Sequence, residues 1–164
     1  MKHLEIEMKT LLNKDEYKKL QTHFSGVTPI TQKNYYLDTP DFYLRQHKIA
    51  MRIRTFDTSA ELTIKIPQEV GNMEYNQSLT LEEAKYYLEN CKLPQGLIVE
   101  ELTSRGLSTS GWVVLGCLTT VRYEKETAIG LMALDQSRYF DIVDYELELE
   151  VENLSLIHIS EPTR

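Results

Sequence analysis

The segment LEIEMK, residues 4–9, places Glu5, Glu7 and Lys9 on one face of an extended strand and Leu4, Ile6 and Met8 on the other. The same sorting recurs along the chain. Arg52 and Arg54 oppose Met51 and Ile53; Glu61, Thr63 and Lys65 oppose Leu62, Ile64 and Ile66. Gln32, Asn34, Tyr36 and Asp38 share a face, as do Thr120, Arg122, Glu124 and Glu126. Glu146, Glu148 and Glu150 oppose Leu147, Leu149 and Val151, and Glu74 with Asn76 makes a shorter example. A solvated strand face ordinarily mixes Lys and Glu. Here acidic strands come first and last, with arginines between. If the sheet closes on itself, these faces line an interior that combines carboxylates for a hard divalent cation with Arg and Lys donors for phosphate oxygens. That pairing is what metal-assisted phosphoryl chemistry needs.

The elements that must position these groups are legible in the periodicity. Strands are expected over residues 4–9, 31–39, 48–56, 60–67, 72–79, 111–129, 130–140 and 144–152. Asn13 caps a helix carrying Tyr17, Leu20 and Phe24 at helical spacing, and two further helices follow Thr80 and end at Gly106. Helices are inserted between strands rather than after each one, and the connections are short. The expected fold is therefore α+β, an eight-stranded antiparallel β-barrel with a polar interior and helices packed outside.

Composition narrows the function. The chain has 164 residues, 26% charged and 41% hydrophobic, which suits one domain with a sizeable core. A net charge of -7 argues against a general nucleic-acid binder but leaves room for a local cluster of cations around a small anion. Cys91 and Cys117 lie in segments that read as ordered core and fit no zinc spacing, so they are expected to be inert thiols in a reducing cytoplasm. His3, His23, His47 and His158 are scattered, and no metal site is expected on histidine. No apolar run is long enough to span a bilayer, and no signal peptide is visible. There is no glycine-rich phosphate loop, so side chains must hold any phosphate.

These residues resemble a known family. EIEMK matches the E-x-E-x-K signature of CYTH domains, the triphosphate tunnel metalloenzymes, and QKNYYLDT, MRIR, LTIK, MEYNQSL, TTVR, LDQSRYF and YELELE follow in the family's order. The resemblance covers residues 1–152 as a single domain. It implies a tunnel in which a triphosphate is hydrolysed with Mg2+ or Mn2+. Carried over residue by residue, Glu5, Glu7, Glu146 and Glu148 would be metal ligands. Lys9, Arg52, Arg54, Lys65 and Arg122 would bind phosphates, with Tyr36, Glu74, Asp135 and Glu150 in support. Lys9 would be the catalytic residue if it assists the attacking water, a role that needs a depressed pKa. Inorganic triphosphate is the expected substrate because it needs no pocket for an organic group. A thiamine triphosphatase, a class IV-type adenylate cyclase and a non-catalytic nucleotide or polyphosphate binding module are the alternatives. The expected partner is the small-molecule triphosphate alone, with no nucleic acid or membrane, in a monomer or homodimer. Residues 153–164, ending LSLIHISEPTR, depart from the family and resemble a translated sequencing adapter; without a natural continuation, Leu147 and Leu149 are expected to lack cover.

Overall fold

The computed structural model describes residues 2–151. Eight strands are present: β1 (Lys2–Leu12), β2 (Ile30–Asp38), β3 (Ala50–Thr55), β4 (Ala60–Pro67), β5 (Asn72–Leu79), β6 (Val113–Thr127), β7 (Gly130–Tyr139) and β8 (Ile142–Val151). The helices are α1 (Lys14–Gln21), α2 (Tyr43–Gln46), α3 (Leu81–Asn90) and α4 (Leu97–Ser104), with a 3-10 turn at Thr22–Phe24. The strands form a closed antiparallel barrel in the order β1-β5-β4-β3-β2-β6-β7-β8. Among the described residues no helix is long and apolar enough to cross a membrane. The expected artefact at 153–164 lies outside the described residues.

The chain divides into two compact units. In the first, built on residues 32–118, β2, β3, β4 and β5 pair in sequence order. Met51, Ile53, Leu62, Ile64, Ile66 and Tyr75 project to one side and pack with Ala84 of α3 and with Ile98 and Leu102 of α4. Each fully buried aliphatic side chain there contributes about 1.5–3 kcal/mol. Helix α3 starts where it does because of a reciprocal cap: Thr80 Oγ1 accepts from Glu83 N at 3.0 Å, and Glu83 Oε1 accepts from Thr80 N at 2.9 Å. Since the helices cover the apolar side, the charged residues of these strands take the inner side.

The second unit holds Leu4–Thr31 and the segment from Thr119 onward. Here β6, β7, β8 and most of β1 pair in turn. Helix α1 has its own capping box, Asn13 with Glu16, at 2.8 and 2.9 Å. It lays Tyr17 against Tyr145, with ring centroids 4.7 Å apart, inside a cluster with Phe24 and Leu134. Gly130 opens β7 at φ +150°, where an added Cβ would overlap the Glu150 carbonyl oxygen, so only glycine lets β7 and β8 approach at this end.

Four expectations need correction. Leu147 and Leu149 are covered: Leu147 packs on the Tyr17–Phe24 cluster, and Leu149 is 8% exposed beside Ile6 and Val151. Cys91 is not core; it is exposed just past α3, in a left-handed conformation (φ 51°) that ends the helix. Cys117 is only partly buried. Asp38 does not serve the charged lining, because its carboxylate accepts from the backbone N–H groups of Thr39, Leu44 and Arg45 at 2.8, 2.8 and 3.1 Å and caps α2. That helix, four residues long, is too short to show a helical period in the sequence. As a measure of the core, Leu62→Ala should destabilise the protein by about 2–5 kcal/mol in denaturant melts. Leu11→Ala, at a side chain 78% exposed, should change stability by less than about 0.5 kcal/mol. Similar losses from both would show that the helix-covered face is not the core.

Candidate functional site

On the inner side of the second unit, charges meet across the ladder. Arg122 on β6 lies opposite Asp135 on β7, and Asp135 lies opposite Glu146 on β8. The Arg122 guanidinium grips Asp135 with both prongs, Nε to Oδ1 and Nη2 to Oδ2, each at 2.7 Å, and Nη2 also donates to Glu148 at 3.0 Å. Lys9 on β1, opposite Glu148, places its ammonium 3.4 Å from Glu148 and 3.3 Å from Glu7. Carboxylate oxygens of Asp135, Glu146 and Glu148 all fall within 4.8 Å of one another. Oxygen donors at that mutual distance fit a hard divalent cation. Ala133, 3% exposed, lies opposite Glu148 on one side and Glu124 on the other, so no bulky side chain separates these carboxylates. Glu5, 5% exposed, and the partly buried Glu7 follow on β1. Glu150 lies opposite Glu7.

The electrostatics follow from this crowding. Burial pushes the Glu146 carboxyl above its ordinary range; Lys9 pulls it back, but Glu148 and Asp135 add to the rise and prevail. Burial works against the Lys9 charge, yet Glu7, Glu148 and Glu146 outweigh it, and the ammonium titrates above its usual value. Arg122 is likewise opposed by burial and held above the guanidinium range by Asp135, then by Glu148 and Glu124. Carboxylates on its own strand and on β8 hold the Lys9 ammonium in its charged form, an arrangement suited to a donor and a positive charge.

On the inner side of the first unit the sign changes. Arg52 lies between Tyr36 and Thr63 across the ladder, and Arg54 between Asn34 and Glu61. Arg54 Nε donates to Asn34 Oδ1 at 2.6 Å, and its Nη1 is 4.0 Å from Glu61. Lys65 stands 3.6 Å from the buried Glu74, opposite it on β5. Tyr36, Ala50, Met51, Arg52, Thr63 and Lys65 border a small pocket that opens to solvent. His3, set aside in the sequence reading, has Nε2 3.8 Å from Glu74. Its odd-numbered place on β1 beside Glu5 and Glu7 was the available signal. Asn34, Glu61 and Asn76 also belong to this lining; each was visible in the alternation, but no role was drawn from it.

The inner side of this closed antiparallel barrel thus carries clustered carboxylates beside ordered guanidinium and ammonium groups. The chain belongs to the CYTH domain family, whose pattern it matches over residues 3–158. It is 37% identical over 149 residues to YjbK of Bacillus subtilis (strain 168), whose name carries a provisional triphosphatase assignment; the match spans 90% of this chain and 77% of that one. Among solved structures it is similar to a Bacillus halodurans protein provisionally described as an adenylate cyclase, at 33% identity and TM-score 0.91, covering 99% of this chain and 95% of the other. A Hippeastrum protein, described as an adenylyl cyclase candidate with a dominant triphosphatase activity, shares the fold at 22% identity and TM-score 0.78, over 96% of this chain and 83% of that one.

The raised Glu146 carboxyl carries a signed consequence. Its contribution to stability is present below the unfolded value of about 4.5 and is lost as pH rises through the higher folded value. At pH 7 in chelator the ionised Glu146 thus opposes folding. Glu146→Gln should melt slightly higher than the unaltered protein at pH 7, with the advantage disappearing near pH 4. A lower melting temperature for the variant at pH 7 would mean that the carboxylate is net stabilising without a cation.

Proposed function

We propose that this protein hydrolyses a triphosphate, with inorganic triphosphate the favoured substrate and Mg2+ or Mn2+ as the cofactor. The observation that carries the reading is the convergence of the Asp135, Glu146 and Glu148 oxygens within 4.8 Å on a barrel wall that also holds Lys9 and Arg122. The triphosphatase assignment in the name of YjbK supports it. Glu5, Glu7, Glu146 and Glu148 are assigned to the cation. Asp135 joins them in the second unit's cluster, while also orienting Arg122. When bound, the cation supplies positive charge to phosphate oxygens and to the departing phosphate.

The remaining work falls to the chain's own cations. Arg52, Arg54, Lys65, Arg122 and Lys9 are assigned to the phosphate oxygens, where planar guanidinium forks set direction and ammonium groups add charge. Lys9 contributes as a donor and a charge. Tyr36 borders the Arg52 pocket, Glu74 holds Lys65, and Glu150 extends the acidic strand. Inorganic triphosphate is preferred over thiamine triphosphate or ATP because charge and short polar groups satisfy it without an organic subsite. The partner is this small anion, and the compartment assigned is the cytoplasm.

Phosphate release should be measured with inorganic triphosphate, thiamine triphosphate and ATP, each with Mg2+ and with Mn2+. Release should be greatest for inorganic triphosphate and absent in chelator. Arg52→Glu should lower kcat/KM at least about 100-fold, the scale of two lost charge-assisted contacts. Lys18→Glu, on the exposed face of α1, should lower it little. Tight triphosphate binding with no release would make the protein a binding module, and cyclic product from ATP would make it a cyclase. Equal losses from Arg52→Glu and Lys18→Glu would assign the effect to overall charge.

A further inference from the structure

The two arginines of β3 share a face but not an environment. Arg54 has an acceptor on each neighbouring strand, Asn34 on β2 and Glu61 on β4. Asn34 is 3% exposed, and its Oδ1 accepts from Arg54 Nε at 2.6 Å. Tying Nε fixes the plane of the guanidinium about its own stem and leaves the terminal nitrogens to other acceptors. Arg52, two residues earlier, has Tyr36 and Thr63 as its cross-strand neighbours, and no carboxylate or amide stands opposite it on either strand. The Arg52 Nε is buried with no hydrogen-bond partner among the described residues.

We propose that Asn34 is a positioning residue that presets the Arg54 guanidinium for a phosphate group, while Arg52 completes its hydrogen bonds only when the anion arrives. This inference rests on the triphosphate reading above. The choice of amide has a chemical reason. An Asn oxygen orients a guanidinium without cancelling its charge, whereas a carboxylate at the same place would form an ion pair and compete with the phosphate. Glu61, at 4.0 Å from Nη1, is at the outer limit of such a pair. The two guanidiniums divide their labour: one is held ready, and the other adapts.

The test uses steady-state hydrolysis of inorganic triphosphate by the full chain. Asn34→Leu, close in size but without an acceptor, should raise KM about tenfold, the scale of one hydrogen bond to a charged group, with kcat little changed. Asn34→Asp keeps the acceptor but neutralises Arg54, so it should also raise KM while melting no lower than the unaltered protein. In an Arg54→Lys background, which lacks the Nε fork, Asn34→Leu should add almost nothing to the loss. An equal loss from Asn34→Leu in both backgrounds would overturn the proposal, because Asn34 would then act apart from Arg54. So would an unchanged KM in Asn34→Asp, which also serves if the leucine variant does not fold. Failure of the unaltered protein to hydrolyse any triphosphate would sink the functional reading instead, and is scored separately.

Discussion

Most strands of this barrel carry hydrocarbon on one side and polar or charged groups on the other, and the charges are stable there because opposite signs meet across the ladder. An ionised group withdrawn from water without a partner costs several kcal/mol. Arg122 meets this condition most fully, with two prongs on Asp135 and a third contact on Glu148. Lys9 between Glu7 and Glu148, and Lys65 against Glu74, repeat it more loosely. The antiparallel register sets which charges can meet, since residues directly opposite are the nearest neighbours on a face.

The same pairing leaves a deliberate imbalance. Around Asp135, Glu146 and Glu148 the carboxylates outnumber what Arg122 and Lys9 compensate, and the raised Glu146 carboxyl records the excess. Around Arg52 the shortfall is of an acceptor, since its buried Nε has none among the described residues. A protein selected for stability alone would have no reason to keep both.

Much of this was legible before any coordinates. Alternation at period two identifies the inner-facing residues on seven of the strands, and the caps at Asn13 and Thr80 mark two helix starts. What misled had a common cause. Asp38 has the right parity for the lining, but it lies at the end of its strand, where the chain turns and free backbone N–H groups compete for its carboxylate. Cys91 lies next to an apolar helical run, yet the left-handed step that ends the helix turns it outward. His3 was discarded because histidines were sought at ligand spacing along the chain, whereas its neighbour Glu74 is 71 residues away in sequence and close only across the fold.

The sequence by itself determined which face of most strands is polar, that the fold is an antiparallel barrel, and which family the chain belongs to, because side-chain parity and local caps are properties of a few adjacent residues. Only the tertiary structure decided the pairings. Register is set by the closing of the sheet and by packing under the helices, and a slip of one residue would have turned every charge outward. It placed Arg54 against Asn34 and left Arg52 beside Tyr36, though the two arginines are indistinguishable in the motif. It also set Lys9 between Glu7 on its own strand and Glu148 and Glu146 on a strand far along the chain, carboxylates that raise its pKa.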